Sequence, residues 1–281
     1  MKSFLIFLTS VIILTGCSNL LYYPTSDYYY PPHRFGLNPI ENYIESSHKT
    51  KIHTWWFKSK NLNSVTKKPK GLIVLFHGNG ENSSSHYMQL SWILEDGYDL
   101  FIFDYPEYGM SEGKATTKNV VNASIDVLKW LENNTNQQDL IIYGQSMGGI
   151  TALRALEELK GQIKIKALIL DGTFYSYQKI AREKLSEHWL TWLLQPFAYI
   201  LLSDQYAPKN FNAHQDYPKL VIVGLQDTLV HPHWGKELYE KLPDPKLIWE
   251  QPYARHTETF WTEDKKYRIK FLNFLNDLKN N

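Results

Sequence analysis

The sequence predicts an α/β protein: one domain on a mostly parallel central sheet, with helices on both faces. Three observations carry this. Six short apolar runs bounded by Gly or Asp recur at 72–76, 100–103, 140–143, 167–170, 220–223 and 247–249. Runs of that length without polar alternation read as strands buried on both faces. Amphipathic stretches of helical length fall between them, as crossovers between parallel strands require. Finally, 43% hydrophobic and 15% aromatic residues over a 281-residue chain can fill a large core, which excludes disorder. A formal net charge of +1 leaves no field to attract nucleic acid, which is excluded as a partner.

The first residues precede the fold. Lys2 supplies a positive charge, and residues 4–14 form an eleven-residue apolar run broken only by Thr9 and Ser10. A spanning helix needs about 20 residues, so this run suits a signal peptide over 1–16 instead. It ends in Leu14-Thr15-Gly16-Cys17, which resembles the lipobox of bacterial lipoproteins. That resemblance implies cleavage before Cys17 and a diacylglyceryl group on its thiol. The chain would then sit outside the cytoplasm at the bacterial envelope, on the outer membrane if the cell has two, since Ser18 is no obvious retention signal. Two or more acyl chains anchor stably where one does not. Cys17 is the only cysteine, so no intramolecular disulfide can form.

Residues 17–40 are the expected lipidated tether, and 20–39, rich in Tyr, Pro and Asn, should lie along the domain surface. Its tyrosines (Tyr22, Tyr23, Tyr28, Tyr29, Tyr30) would alternatively suit a membrane interface. The domain proper is expected over 41–281. Residues 42–45 and 51–57 look like a strand pair, and 61–71 is a polar loop. Helices are expected near 85–96, 119–133, 147–160, 234–241 and 263–279. In the third, Ile150, Leu153, Leu156 and Leu159 mark one face, and Gly161 stops it.

The pattern G-x-S-x-G occurs twice, at Gly109–Gly113 around Ser111 and at Gly144–Gly148 around Ser146. Its chemistry needs a strand that ends abruptly in serine at a cramped turn, followed at once by a helix whose N-terminus favours developing negative charge. Ser146 has the strand 140–143 before it and the helix from Met147 after it. Ser111 has neither, and reads as a loop hydroxyl bonded to backbone.

A serine hydroxyl needs a base, and the base needs an acid to fix its tautomer. Asp227 follows the strand 220–223 through Gly224-Leu225-Gln226, and His256 follows 247–249 and a polar loop; this is the Ser, acid, His order of one hydrolase fold. Asp171, directly after 167–170, is the rival acid, or else a turn or cap residue. Of ten histidines, His77 is expected to brace its loop, and His231 and His233 to cap or lie on the surface. His33, His48, His53, His86, His188 and His214 have no catalytic context. With no HExxH and no second cysteine, neither a metal nor a cofactor is expected. The run His77-Gly78-Asn79-Gly80 ends a strand, so Asn79 N–H and Met147 N–H are candidate oxyanion donors; the alternative is a plain tight turn.

Taken together, Leu75-Phe76-His77-Gly78-Asn79-Gly80, Asp104-Tyr105 through Gly113, Tyr143 through Gly149, Gly224 through Asp227, and His256 resemble the α/β-hydrolase superfamily. More narrowly they are similar to the BEM46/ABHD13-type (S33/S9-like) serine hydrolases. The resemblance covers roughly residue 41 to the C-terminus. It implies an α/β-hydrolase fold, a structural role for the loop 104–113, and a small helical lid insert at about 174–217. Pro106-Glu107 departs from the usual Arg-Gly at the cleft rim.

The function expected is a serine hydrolase that cleaves an ester, thioester or amide through an acyl-enzyme, chiefly a carboxylesterase or acyl hydrolase on a small-molecule or acyl substrate. A serine aminopeptidase-like peptidase, an acyltransferase and a non-catalytic binding lipoprotein are the alternatives. Within the insert, 189–202 is almost wholly apolar or aromatic, and Pro196 should divide any helix there. That run should pack on the sheet as core, or else wall an acyl pocket beside Ser146.

Overall fold

The computed structural model describes residues 21–62, 68–135, 139–187 and 189–278. The expected signal peptide, 1–16, and Cys17 lie outside the described residues, as does His188. Eight strands form one sheet: β1 (Ile40–Glu45), β2 (Lys51–Phe57), β3 (Leu72–Phe76), β4 (Asp99–Phe103), β5 (Leu140–Gln145), β6 (Ile165–Asp171), β7 (Lys219–Gly224) and β8 (Lys246–Gln251). Their order is β1-β2-β4-β3-β5-β6-β7-β8. β2 pairs antiparallel with β1 and β4, and every other pairing is parallel.

Strand periodicity divides the core between two faces. Leu72, Val74 and Phe76 of β3 point to the side covered by the helices Thr117–Asn134, Met147–Glu158 and Pro232–Lys241. Ile73 and Leu75 point to the other side, where Tyr87, Leu90 and Ile93 pack with Phe271 and Phe274 of the last helix, Lys266–Asp277. The strands therefore read as unbroken apolar runs because both faces are covered. Among the described residues, no helix is long and apolar enough to cross a membrane.

Local chemistry moves several expected boundaries. The expected helix at 85–96 is instead a four-residue α-turn, Ser83–His86, followed by 3₁₀ turns at Tyr87–Gln89 and Ser91–Asp96. Asn82 caps the first turn and Ser85 Oγ bonds back to Asn82 O, so side chains compete with a regular ladder. The helix Pro232–Lys241 starts earlier than expected because Pro232 occupies its first position. At the C-terminal end, Lys265 at φ 67° separates a 3₁₀ turn, Glu263–Lys265, from the last helix. Thr116 caps the helix at 117 through its side-chain oxygen, which accepts from Asn119 N–H.

Residues 21–39 lie on the domain as expected, and part of them enters the core. Tyr22 is buried with Tyr105, Tyr108 and Tyr177. Burial and the neighbouring Tyr177 push its phenol well above the ordinary range. Thr25 O accepts from Gly109 N–H, and Asn82 Nδ2 donates to both Thr25 O and Asp27 O.

The insert departs from expectation. It holds the helix Tyr177–Ser186, a 3₁₀ stretch Trp192–Phe197 containing Pro196, and a single helical turn Ala198–Leu201. Its apolar run does not pack on the sheet: Trp189 is 84% exposed, Leu190 71%, Leu193 75% and Ile200 75%, and Trp192 and Phe197 are also exposed. Only Ala198 of the two short helical pieces is buried. The run rests on the helix Tyr177–Ser186, held by Gln178 Nε2 donating to Tyr199 O and Leu202 O. With the chain broken at Pro196, no single apolar stripe forms that could turn inward.

Candidate active site

The backbone makes a strained corner at the second of the two G-x-S-x-G motifs. Ser146 sits directly between β5 and the helix from Met147, at φ 53° and ψ −120°. A non-glycine residue there is held against its preference, a conformation that recurs at functional sites. Its neighbours keep it there: Ser146 N–H donates to Asp171 O at 2.9 Å, and Thr173 Oγ1 donates to Ser146 O at 2.5 Å. The flanking glycines are sterically required. A Cβ on Gly148 would collide with the Phe76 carbonyl, one on Gly149 with the Thr173 side chain, and one on Gly144 would meet Gly149 Cα at 2.5 Å.

Asp227 and His256 are brought together from the ends of β7 and β8. His256 Nδ1 donates to Asp227 Oδ2 at 2.6 Å, which leaves Nε2 of a neutral ring as the free acceptor. Asp227 is nearly fully buried, and its Oδ1 accepts from Leu229 N–H at 2.8 Å and Val230 N–H at 2.9 Å. Two backbone bonds zip the loops together: Leu225 N–H to Gln251 O and Gln226 N–H to Ala254 O. Gly224 permits this approach, since a Cβ there would meet Ala254 O at 2.5 Å. Gly172, at φ +58°, lies beside the pair: a Cβ on it would stand 3.4 Å from His256 Nδ1 and 3.5 Å from Asp227 Oδ2. Because Asp171 O holds Ser146 N–H, the turn Asp171–Gly172 places the serine corner and the His–Asp pair on one rim of the sheet.

The rival acid faces elsewhere. The Asp171 carboxylate accepts from Tyr143 OH at 2.6 Å and Thr259 Oγ1 at 3.0 Å, so its hydrogen-bond partners are not His256. Burial pushes its carboxyl up to about 6, against those two hydrogen bonds. Ser111 is likewise occupied: Ser111 Oγ donates to Asp104 O at 2.7 Å and accepts from His53 N–H at 2.8 Å. In the same loop Asp104 takes His53 Nδ1 at 2.7 Å and Ser83 N–H at 2.8 Å. A Cβ on Gly109 would collide with that carboxylate.

The loop 77–80 leaves β3 next to Ser146, and a Cβ on Gly78 would stand 3.7 Å from Ser146 Cβ. His77 braces it as expected. Its Nδ1 donates to Gly78 O at 2.8 Å, its Nε2 takes Tyr105 N–H, and burial lowers its pKa to about 3, keeping the ring neutral. Asn79 is held from the tether side. The Tyr108 hydroxyl reaches Asn79 O at 2.7 Å and Oδ1 at 2.8 Å, and Tyr23 N–H donates to Asn79 Oδ1 at 3.1 Å.

Sequence reasoning missed one member of this rim. His86 bridges the loop to the serine corner: its Nε2 donates to Gly80 O at 2.8 Å, and its Nδ1 lies 2.9 Å from Gln145 Oε1. No local motif marks His86; only Gln145, directly before Ser146, hints at a partner. His231 and His233 do more than cap. His231 Nδ1 lies 2.6 Å from Glu183 Oε1, and His233 Nε2 lies 3.0 Å from Glu183 Oε2. Lys184 Nζ donates to Thr228 O at 2.9 Å, so the insert helix is clamped onto the loop that follows Asp227. Among the described residues, Glu183, His231 and His233 are the one group spaced to hold a metal ion. Each Glu183 oxygen already faces one imidazole nitrogen.

This sheet order, with a serine corner after β5 and an acid and a histidine after β7 and β8, defines the α/β-hydrolase fold. The family profile described as "alpha/beta hydrolase fold" matches residues 71–185. YfhR, an uncharacterized protein of Escherichia coli O157:H7, is 28% identical over 262 residues, covering 92% of this chain and 86% of its own. Lysophosphatidylserine lipase ABHD12 of Danio rerio is 26% identical over 189 residues, 63% of this chain and 48% of that protein. Among solved structures, an esterase of Pyrococcus furiosus superposes with a TM-score of 0.70 at 22% identity, covering 92% of this chain and 98% of its own.

Proposed function

We propose that this chain is a serine hydrolase that cleaves an ester, thioester or amide bond through an acyl-enzyme, most simply a carboxylesterase or acyl hydrolase. The observation that carries this is the strained Ser146 corner on the same rim as the 2.6 Å His256–Asp227 pair. The esterase and lipase names of similar proteins support it at the level of reaction class. In the mechanism, His256 Nε2 takes the Ser146 proton as Oγ attacks the substrate carbonyl. Asp227 holds the ring in the required tautomer and stabilises its charged form. Met147 N–H, at the helix start, and Asn79 N–H receive the developing oxyanion. The leaving group takes the proton back from His256. A water, deprotonated by the same nitrogen, then releases the acid and restores the serine.

The anchor belongs to the same proposal: residues 1–16 as signal peptide, Cys17 as acylated N-terminus, and an extracytoplasmic place on the envelope membrane. The lipobox-like Leu14-Thr15-Gly16-Cys17 supports it. The test of the chemistry is labelling by a fluorophosphonate probe, expected on wild type and lost in Ser146→Ala. An unlabelled, folded wild type would leave a non-catalytic binding lipoprotein instead. Product analysis with added alcohol or amine separates hydrolysis from acyl transfer, and a panel of aminoacyl amides tests the peptidase alternative.

A further inference from the structure

Two features outside the catalytic rim share one explanation. The insert exposes eight large apolar or aromatic side chains between Trp189 and Ile200. An exposed patch of this kind on a folded chain marks an interaction surface. Beside it lies an open groove of about 440 Å³ lined by Arg182, Trp192, Leu193, Gln195, Pro196 and Tyr199. The groove sets an exposed cation among aromatic rings and aliphatic tips, the pairing that suits the headgroup level of a bilayer.

The second feature is where the chain enters the domain. Tyr22 is buried against Tyr177, the first residue of the insert helix, and Tyr23 N–H bonds Asn79 of the loop beside Ser146. From Cys17 to Tyr22 an extended chain reaches at most about 18 Å. An acyl group on Cys17 therefore brings the bilayer to the base of the insert and the mouth of the site.

We propose that the apolar strip 189–200 docks on a phospholipid bilayer, and that the substrate is an acyl ester resident in that bilayer. This rests on the hydrolase and anchor readings of the preceding section. The short tether sets which side of the molecule faces the membrane. The strip then replaces water contact with acyl-chain contact, and Arg182 meets lipid phosphate. An acyl ester entering from the membrane reaches Ser146 without crossing bulk water.

The full-length protein, purified from membranes and reconstituted in phosphatidylcholine–phosphatidylglycerol vesicles with brominated acyl chains, tests this by tryptophan quenching. The double variant W189F/W192F should lose most of the quenchable signal, whereas Trp130→Phe should lose little, because Trp130 is half-buried and stacked on Phe101 of β4, away from the strip. L193D/I200D should keep wild-type turnover of a soluble acetyl ester and lose about tenfold or more on a long-chain ester carried in vesicles. Quenching unaffected by W189F/W192F, or equal turnover of the vesicle-borne ester by L193D/I200D, overturns the docking. So does a dimer in detergent that L193D/I200D dissolves without changing quenching, since a second copy then covers the strip. An N-terminal peptide whose mass shows no acyl chains removes the anchor and with it the orientation. Quenching as expected with no ester turnover at all would uphold the docking and overturn the acyl-ester substrate; loss of fluorophosphonate labelling in the same sample would overturn the hydrolase reading as well.

Discussion

Two serines share one motif, and their hydrogen bonds give them different surroundings. Ser111 Oγ is engaged with Asp104 O and His53 N–H, while the Ser146 backbone is held from two sides at a positive φ. Ser146→Ala is expected to fold normally and to reduce turnover about 10⁴–10⁶-fold, whereas Ser111→Ala keeps most activity. Steady-state kinetics with a soluble ester decides it, and the reverse pattern would move the nucleophile. The two aspartates separate in the same way. Asp227→Asn should cut kcat by about 10⁴, because the His256 ring loses the acceptor that orients it. Asp171→Asn should leave most of kcat and act on stability. Burial raises the Asp171 carboxyl from 3.8 to about 6, so the folded chain holds that proton more tightly than the unfolded chain. Its contribution is complete below pH about 4 and is lost as the pH rises through about 6. The melting temperature of Asp171→Asn relative to wild type should therefore rise between pH 4 and pH 7. A constant difference across that range would mean that the carboxyl is not raised.

At the scale of elements, the sheet was legible because both of its faces are covered, so each strand shows as a plain apolar run. Ser146, Asp227 and His256 could be singled out as candidates because each is tied to a strand end and a fixed chain order, and the structure places His256 against Asp227. What escaped was set by contacts between distant segments. His86 joins Gly80 to Gln145, a residue 59 positions further along the chain than His86, and no periodicity records such a bridge. The 3₁₀ turns after Asn82 follow from serine side chains bonding backbone, which an apolar count does not see. The insert's apolar run reads as core or as a pocket wall because hydrophobicity alone does not say which face is covered. His86→Ala should lower kcat about ten- to a hundredfold with little change in KM, through a loosened Gly78–Gly80 loop. A positioning role of this kind predicts near-wild-type fluorophosphonate labelling at saturation and a slower labelling rate. Unchanged kcat with a lowered melting temperature would make the bridge merely structural.

For the whole molecule, residues 21–39, the proposed tether, are a part of the fold. Tyr22 is 3% exposed and Leu37 is buried, one on each face of the sheet. Tyr29 N–H and Tyr30 N–H are fixed on Ser84 Oγ and Ser84 O. A segment built into the core from residue 21 onward cannot swing, so the distance from Cys17 to the site is limited by the reach of about five residues, ~18 Å at most. Two variants separate its roles. Cys17→Ala is expected to leave the domain's melting temperature unchanged while blocking acylation, so that the N-terminal peptide loses its acyl mass and the mature chain no longer partitions into detergent. Tyr22→Ala should keep the acyl mass and the detergent partitioning but destabilise the domain by about 3 kcal/mol, the usual cost of truncating a buried aromatic. Because Tyr23 also touches Asn79, the loosened tether of Tyr22→Ala should lower kcat on soluble esters as well. If Tyr22→Ala melts and turns over like wild type, the tether is a passive leash and the site's distance from the membrane is not fixed. Equal detergent partitioning of Cys17→Ala and wild type would exclude lipid attachment as the anchor.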